Sequence, residues 1–462
     1  MKQLIELTAG RPIFGGKCLS EYDGIKVMLE RALPGEKVSA YVKKKKSGFM
    51  EAVAKEIIEK SPHRIESDCR YYPVCGGCKL RDVDYGHQAY IKEEVIKDCV
   101  RRIGKISDCE ILPIIKCPVA DNYRNKTEFT FSKMRFHTEH DRGTDEEGFN
   151  LGFHAPKFYS KVIDIDHCNL QSDLMNRIYY SLKMRLKNTG LEPYDVVRHE
   201  GFLRYLVIRK SNADEVMINL ITKSKKLNET RSAADGLIKE FPQVRSFINT
   251  INPGLATTAF GEETVLVAGE RTITDTIGEL KFELSHDTFF QTNPSQTEKL
   301  YGVALEFAGL TGTESVLDLY CGVGTISLYI AAGAARVTGF ELVENAVANA
   351  RRNAELNGVN NCVFRAGDMM KLAKDGEIFR EHYDVLITDP PRDGMHHKVV
   401  EAIISSGIKK IVYVSCNPST FARDVDLLNQ GGYTLVKVQP VDMFPQTFHV
   451  ETVGLLVKRG QE

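Results

Sequence analysis

From about residue 291 onward, short apolar runs alternate with longer segments of helical spacing. The runs fall at 315–320, 336–340, 362–367, 383–388 and 410–415. Helical patterns occupy 326–335 and 344–357 and recur after the fourth and fifth runs. This alternation predicts an α/β fold, a doubly wound parallel sheet with helices on both faces. Two last runs, 434–440 and 451–457, have no helical crossover between them and imply an antiparallel edge. Ligands of such sheets lie beyond the carboxyl ends of the strands, near the switch point. The residues that directly follow each run are therefore the first candidates for chemistry.

At 462 residues the chain is too long for one core, and about three domains are expected. Residues 1–60 carry short strand patterns at 25–30, 37–42 and 49–58, punctuated by Gly15-Gly16, Pro34-Gly35 and Ser47-Gly48. They fit a small OB-like β-barrel, a platform for single-stranded nucleic acid. The whole chain has a net charge of −1, but residues 1–64 hold 13 Lys and Arg against 8 Asp and Glu, with Lys43–Lys46 consecutive. A basic module on a neutral body can attract phosphate locally; a solvated strand end would look the same. Residues 61–290 read as a central α+β domain, with helices near 171–188 and 229–240 and strands at 123–131, 205–209 and 215–221. Residues 291–462 form the third segment.

Composition is that of an ordinary globular protein, 42% hydrophobic and 27% charged. No stretch approaches the roughly 18 apolar residues of a membrane helix. The start, MKQLIELTAG, has no apolar signal core, so the cytoplasm is the expected compartment. Eleven cysteines there argue for metal or catalytic use of some of them.

The first strand of the alternating segment ends in Asp318-Leu-Tyr-Cys-Gly-Val-Gly-Thr325. Gly322 and Gly324 allow a tight turn and a close backbone approach to a ligand. Glu341 directly follows the second strand, where a carboxylate suits ribose hydroxyls. A nicotinamide site would use the same device, but the third glycine of GxGxxG is absent. The fourth strand ends in Asp389-Pro390-Pro391-Arg392 and the fifth in Ser415-Cys416-Asn417-Pro418. A cysteine at a strand end can be partly exposed and reactive, whereas one inside a strand is usually inert. Cys69, Cys75 and Cys78 form a tight group beside Gly76-Gly77. Zinc and a [4Fe–4S] cluster both accept four cysteines. The fourth is not local, and spacing alone leaves Cys99, Cys109 and Cys117 open beside Cys168.

DLYCGVG resembles the first motif of class I S-adenosylmethionine (SAM) methyltransferases. Together SCNP, DPPR, Phe289-Phe290-Gln291-Thr292-Asn293 and His449-Val450-Glu451 resemble the RNA uridine-5-methyltransferases, in family order and over essentially the whole chain. The resemblance implies a class I catalytic domain at 291–462 and a TRAM-like RNA-binding domain at 1–60. It implies Cys416 as nucleophile and Glu451 as general base. Gln291, Tyr320, Glu341 and Asp389 match cofactor-contacting positions, and Asp368 lies near the adenine. Thr325 and Asp368 stand where some relatives have asparagine; either side chain can still hydrogen-bond. Cys168, in Asp166-His167-Cys168, matches the distant fourth ligand, with Cys69, Cys75 and Cys78, of a [4Fe–4S] cluster rather than zinc. The barrel and cluster together resemble the 23S rRNA enzymes more than the common tRNA enzyme. A monomer without membrane association is expected.

Chemistry supports this assignment. C5 of uracil is a poor nucleophile, and adding a thiolate to C6 makes C5 an enolate carbon that can attack a methyl sulfonium. A carboxylate must then remove the C5 proton, and the uridine must flip out of its stack. Two other readings remain: a methyltransferase acting on exocyclic amines with DPPR as a base clamp, and an RNA-binding iron–sulfur protein with a vestigial catalytic domain.

Overall fold

The computed structural model describes residues 3–138 and 147–460. The N-terminal unit is a curled six-stranded sheet, ordered Leu4–Thr8, Lys37–Lys46, Phe49–Glu59, Ile25–Glu30, Lys17–Tyr22 and Arg11–Ile13. Its inward residues, among them Ile5, Leu7, Val27, Leu29, Val38 and Met50, form one small core. Three of these strands, at 4–8, 11–13 and 17–22, escaped the sequence reading: Arg11–Ile13 is only three residues long, and Lys17–Tyr22 mixes Lys, Ser and Glu into its run. Buried Glu36 ties this unit to the next, accepting from the Leu33 and Ser61 N–H groups and from Arg64 at 2.9 Å.

The middle sheet has seven strands, from Lys161–Asp164 at one edge to Glu263–Gly269 at the other. Helices Asp173–Asn188 and Leu227–Glu240 pack on one face, burying Ile178, Leu182, Ala234 and Leu237 against Leu206 and Ile218.

The catalytic sheet has eight strands in the order Cys362–Ala366, Arg336–Glu341, Ser315–Leu319, Val385–Thr388, Lys410–Ser415, Glu451–Lys458, Tyr433–Val441 and Glu110–Ile111. The first five are mutually parallel, so their carboxyl ends share one rim. The closing pair forms the expected antiparallel edge, with only the two-residue strand Glu110–Ile111 added outside it. Glu451–Lys458 is the inner strand of the pair, between Lys410–Ser415 and Tyr433–Val441. The helix expected at 326–335 ends early, at Ile330, and continues as one 3-10 turn. Asn361 Nδ2 donates to the Ala331 and Ala334 carbonyls there, at 2.8 and 2.9 Å.

Two stretches of 61–290 pack on this catalytic sheet. The hairpin Ile273–Ile277/Leu280–Leu284 puts Phe282 and Leu284 into its core. Helix Tyr85–Arg102, capped by Asp84, packs Ala89, Ile96 and Val100 into the same layer as Tyr433 and Leu435. Lys92 on that helix is buried and meets buried Asp442 at 2.6 Å, its ammonium also donating to the Phe444 carbonyl at 2.9 Å. Removing one partner of such a pair leaves an uncompensated charge. Lys92→Met should lower unfolding free energy by about 3–5 kcal/mol in urea titrations; a loss within error of zero would show that the pair does not anchor this helix.

Candidate active site

Strand Ser315–Leu319 ends in a turn whose backbone is unusual. Tyr320 has φ 65°, Gly322 φ 56° and Gly324 φ 80°, all left-handed. At Gly324 a Cβ would lie 2.9 Å from the Phe364 ring, so the close approach itself requires glycine. Glu341 braces the turn, accepting from the Gly322 N–H at 3.1 Å and the Val343 N–H at 2.9 Å. Asp368 caps the short helix Met369–Lys374, accepting from the Met370 and Lys371 N–H groups. Thr325 opens helix Thr325–Ile330, and its hydroxyl meets the Tyr301 hydroxyl at 2.9 Å. Tyr301 also hydrogen-bonds buried Gln291. Sequence reasoning missed Tyr301, because a tyrosine on the apolar face of a helix signals core. It joins Gln291 to Thr325 across the site.

Asp318, in the same motif, was also missed as a site residue. It is buried, accepts from the Ser327 hydroxyl at 2.5 Å, and has its pKa pushed up to about 7 by burial, then by Asp389 and Glu341. Burial likewise raises the Asp389 carboxyl to about 7. The Glu451 carboxyl is raised well above the usual range by burial, then by Asp389, with Arg392 opposing. Carboxylates that raise one another's pKa in a shared rim form a site for a cation. The sulfonium and ammonium of SAM meet that demand; the pyrophosphate of a dinucleotide does not.

Cys416 follows strand Lys410–Ser415 and is half-buried. Asn417 and Pro418 start the next helix, Asn417 Oδ1 accepting from the Ser419 N–H at 3.0 Å. Asn417 Nδ2 and the Thr420 hydroxyl both donate to the Arg392 carbonyl, at 2.9 and 3.1 Å. SCNP thus locks the DPPR loop beside it. The antiparallel last strand begins at this rim, with Thr452 paired to Ser415, so Glu451 arrives next to Cys416. Burial, then the fields of Glu451 and Asp389, push the Cys416 thiol up to about 12, while a hydrogen bond from Arg392 acts against them.

Beyond Arg392 a cavity of about 500 Å³ runs from Gln291, Arg392 and His449 to Cys69, Cys75, Cys78 and Cys168. Burial and nearby cations hold the His449 imidazole down at about 4, so it is neutral at pH 7. The structure therefore brings Cys168 to the local three. Cys99 lies instead 3.7 Å from the Ser419 hydroxyl and Cys117 3.7 Å from the Ser295 hydroxyl, while Cys109 packs at the catalytic core. Burial and the neighbouring thiols raise Cys75 to about 11 and Cys78 to about 12. Among the described residues no three His, Cys, Asp or Glu side chains stand close enough to grip a single metal ion.

The strand order, the glycine turn and the carboxylate rim define a class I SAM-dependent methyltransferase. A family model described as tRNA (Uracil-5-)-methyltransferase matches residues 110–459, and the chain belongs to this family of RNA uracil-5 methyltransferases. An uncharacterized RNA methyltransferase of Halalkalibacterium halodurans is 37% identical over 454 residues, 98% of this chain and 96% of its own length. One from Chlorobaculum tepidum is 38% identical over 461 residues, 98% and 95% of the two chains. The structure of Pyrococcus abyssi tRNA (uracil-54, C5)-methyltransferase, in complex with S-adenosyl-L-homocysteine, is similar with a TM-score of 0.74 at 27% identity, covering 98% of this chain and 100% of that one. The protein is an enzyme of RNA methylation, and SAM is its methyl donor.

Burial raises the Asp318 and Asp389 carboxyls to about 7, and a sulfonium bound beside them would favour their ionised forms. Binding below pH 7 must therefore expel protons, and affinity for SAM should fall by up to about tenfold per proton for each pH unit below 7. Calorimetry in buffers of different ionisation enthalpy measures this; a pH-independent Kd with no buffer-dependent heat would contradict it.

Proposed function

We propose that the enzyme methylates C5 of one uridine in 23S rRNA through a transient bond from Cys416 Sγ to C6. The observation that carries the reading is the meeting of Cys416 and Glu451 at one rim, delivered by two strands of opposite direction. SAM supplies an electrophilic methyl on a positive sulfonium. Beside Asp389 and Glu451 that charge offsets the field that keeps the thiol protonated, and Arg392 then favours the thiolate. Sγ adds to C6, and the C5=C6 electron pair moves onto C5 and O4. C5 forms its bond to the methyl carbon while the bond to sulfur breaks. The Glu451 carboxylate removes the C5 proton, the double bond re-forms, and Cys416 departs as thiolate. Gln291, Tyr320, Thr325, Glu341, Asp368 and Asp389 hold the methyl donor in this reading.

The four thiols line one cavity, and a [4Fe–4S] cluster takes one thiolate on each of its four irons. We assign Cys69, Cys75, Cys78 and Cys168 to it, in place of zinc. The barrel with four such cysteines favours ribosomal RNA; a tRNA substrate is the second reading, favoured by the Pyrococcus abyssi likeness. No described helix is long and apolar enough to cross a membrane. One chain carries every proposed site residue, which suits a monomer, and rRNA modification places it in the cytoplasm.

Incubated with SAM and 5-fluorouridine-containing 23S rRNA, the wild-type enzyme should form a covalent complex stable in denaturant, because fluorine cannot leave as a proton. Cys416→Ala should form none. Glu451→Gln should lose about 10²–10⁴ in turnover yet accumulate adduct on unmodified RNA. Adduct from Cys416→Ser at the wild-type level would defeat the mechanism; adduct on tRNA alone would select the second reading. Protein reconstituted anaerobically should carry iron and acid-labile sulfide in equal amounts, and Cys168→Ala should lose most of both. Stoichiometric zinc instead would refute the cluster.

A further inference from the structure

A loop between strands Glu147–His154 and Lys161–Asp164 has no part in the chemistry above. Its base is pinned. The Ala155 N–H donates to the Lys161 carbonyl at 3.3 Å, the Phe158 N–H to the Ala155 carbonyl at 3.0 Å, and the Ser132 hydroxyl to the Ser160 carbonyl at 2.7 Å. Its tip is exposed. Lys157 is held at φ 74°, a left-handed backbone that disfavours any residue but glycine. Phe158 packs on Phe136 with ring centroids 5.1 Å apart. Tyr159 is 69% exposed, and its ring has no aromatic partner among the described residues.

The loop stands between the cysteine loop and the N-terminal sheet. On one side Pro156 rests on the cysteine loop, where a Cβ on Gly76 would lie 3.5 Å from Pro156 Cγ. Phe153, just before the loop, lines the cavity that leads to Gln291 and Arg392. On the other side lies Glu30 of the N-terminal sheet, bound to Lys43 at 2.5 Å and Lys17 at 3.5 Å, and within the field of Lys157. Lys43 and Lys17 share that one carboxylate and Lys157 acts on it at longer range, so cations outnumber it at this junction. Exposed Lys44, Lys45 and Lys46 extend it along their strand. A solvent-facing ring set in a cationic strip matches the two demands of single-stranded RNA, a flat base and a phosphate chain. A duplex would offer the ring no base face.

We propose that this loop is a second RNA contact: Tyr159 stacks on one base of the single strand flanking the target uridine, while Lys157 and Lys43–Lys46 track its phosphates on the way to the cavity. The proposal rests on the family's RNA substrate but not on the covalent mechanism. It is tested by fluorescence anisotropy with labelled oligouridine and with an abasic oligomer of equal length. Tyr159→Ala should bind oligouridine roughly 5- to 100-fold more weakly, leave the salt slope unchanged, and bind the abasic oligomer as the wild type does. Tyr159→Phe should retain affinity. Lys157→Ala should lower the salt slope by about 0.7 on both oligomers. Equal affinity of Tyr159→Ala and wild type for oligouridine, or an equal loss on the abasic oligomer, would overturn the stacking role. At saturating 5-fluorouridine RNA, Tyr159→Ala should still form the Cys416 adduct; if even the wild type forms none, the mechanism fails while the binding comparison still decides this proposal.

Discussion

The final strand, Glu451–Lys458, is paired between Lys410–Ser415 and Tyr433–Val441, running against both. A parallel sheet presents only the carboxyl ends of its strands at the ligand rim. One reversed strand presents its amino end there instead, and so brings a residue from the far end of the chain. With Thr452 opposite Ser415, Glu451 falls beside Cys416. A slip of one residue in this register would turn every side chain of the strand to the opposite face. The apolar cores on both sides of the sheet, which hold Val453 and Leu456, oppose such a slip.

That placement creates an electrostatic problem whose solution is the substrate. Asp318, Asp389 and Glu451 are all held above their ordinary pKa by burial, and Cys416 is held as a thiol by the same fields. Arg392 opposes them from the DPPR loop, which Asn417 and Thr420 fix in place through its carbonyl. These fields all favour the protonated forms of the group. In the proposed mechanism, a cation arriving among the carboxylates changes the ionisation of the whole group and readies Cys416 only once the methyl donor is bound.

The cysteine loop and the catalytic rim share one cavity, although they come from different layers of the molecule. Tyr123 helps join them, its hydroxyl donating to the Pro445 carbonyl at 3.0 Å, and so do Lys79 and Leu80, whose N–H groups reach the Gln446 carbonyl. In the proposed reading, an RNA entering this cavity would meet the cysteine face and Gln291, Arg392 and His449 together. That arrangement suits a structural or positioning role for the thiols, since methyl transfer consumes no electron.

The alternating strands and helices of the last third were legible because each apolar run is short and each ends at a turn or a polar motif; 410–415 coincides with the observed strand. The motifs at Asp389 and Cys416 were legible for the same reason, as residues that directly follow strands. Helix Tyr85–Arg102 was not, because its buried face includes Gln88 and Lys92, polar residues whose partners Gln446 and Asp442 lie some 350 positions away. Nor was Tyr301, whose role depends on which two side chains its hydroxyl meets. The sequence by itself determined the strand–helix alternation, the glycine turn and the residue types of the chemistry, since these follow from local periodicity and backbone freedom. Only the tertiary structure decided that the last strand pairs inside Tyr433–Val441, which sets Glu451 beside Cys416, and that Cys168 lines one cavity with Cys69, Cys75 and Cys78. Both are long-range pairings, selected by how buried surfaces fit one another, and no local pattern encodes that fit.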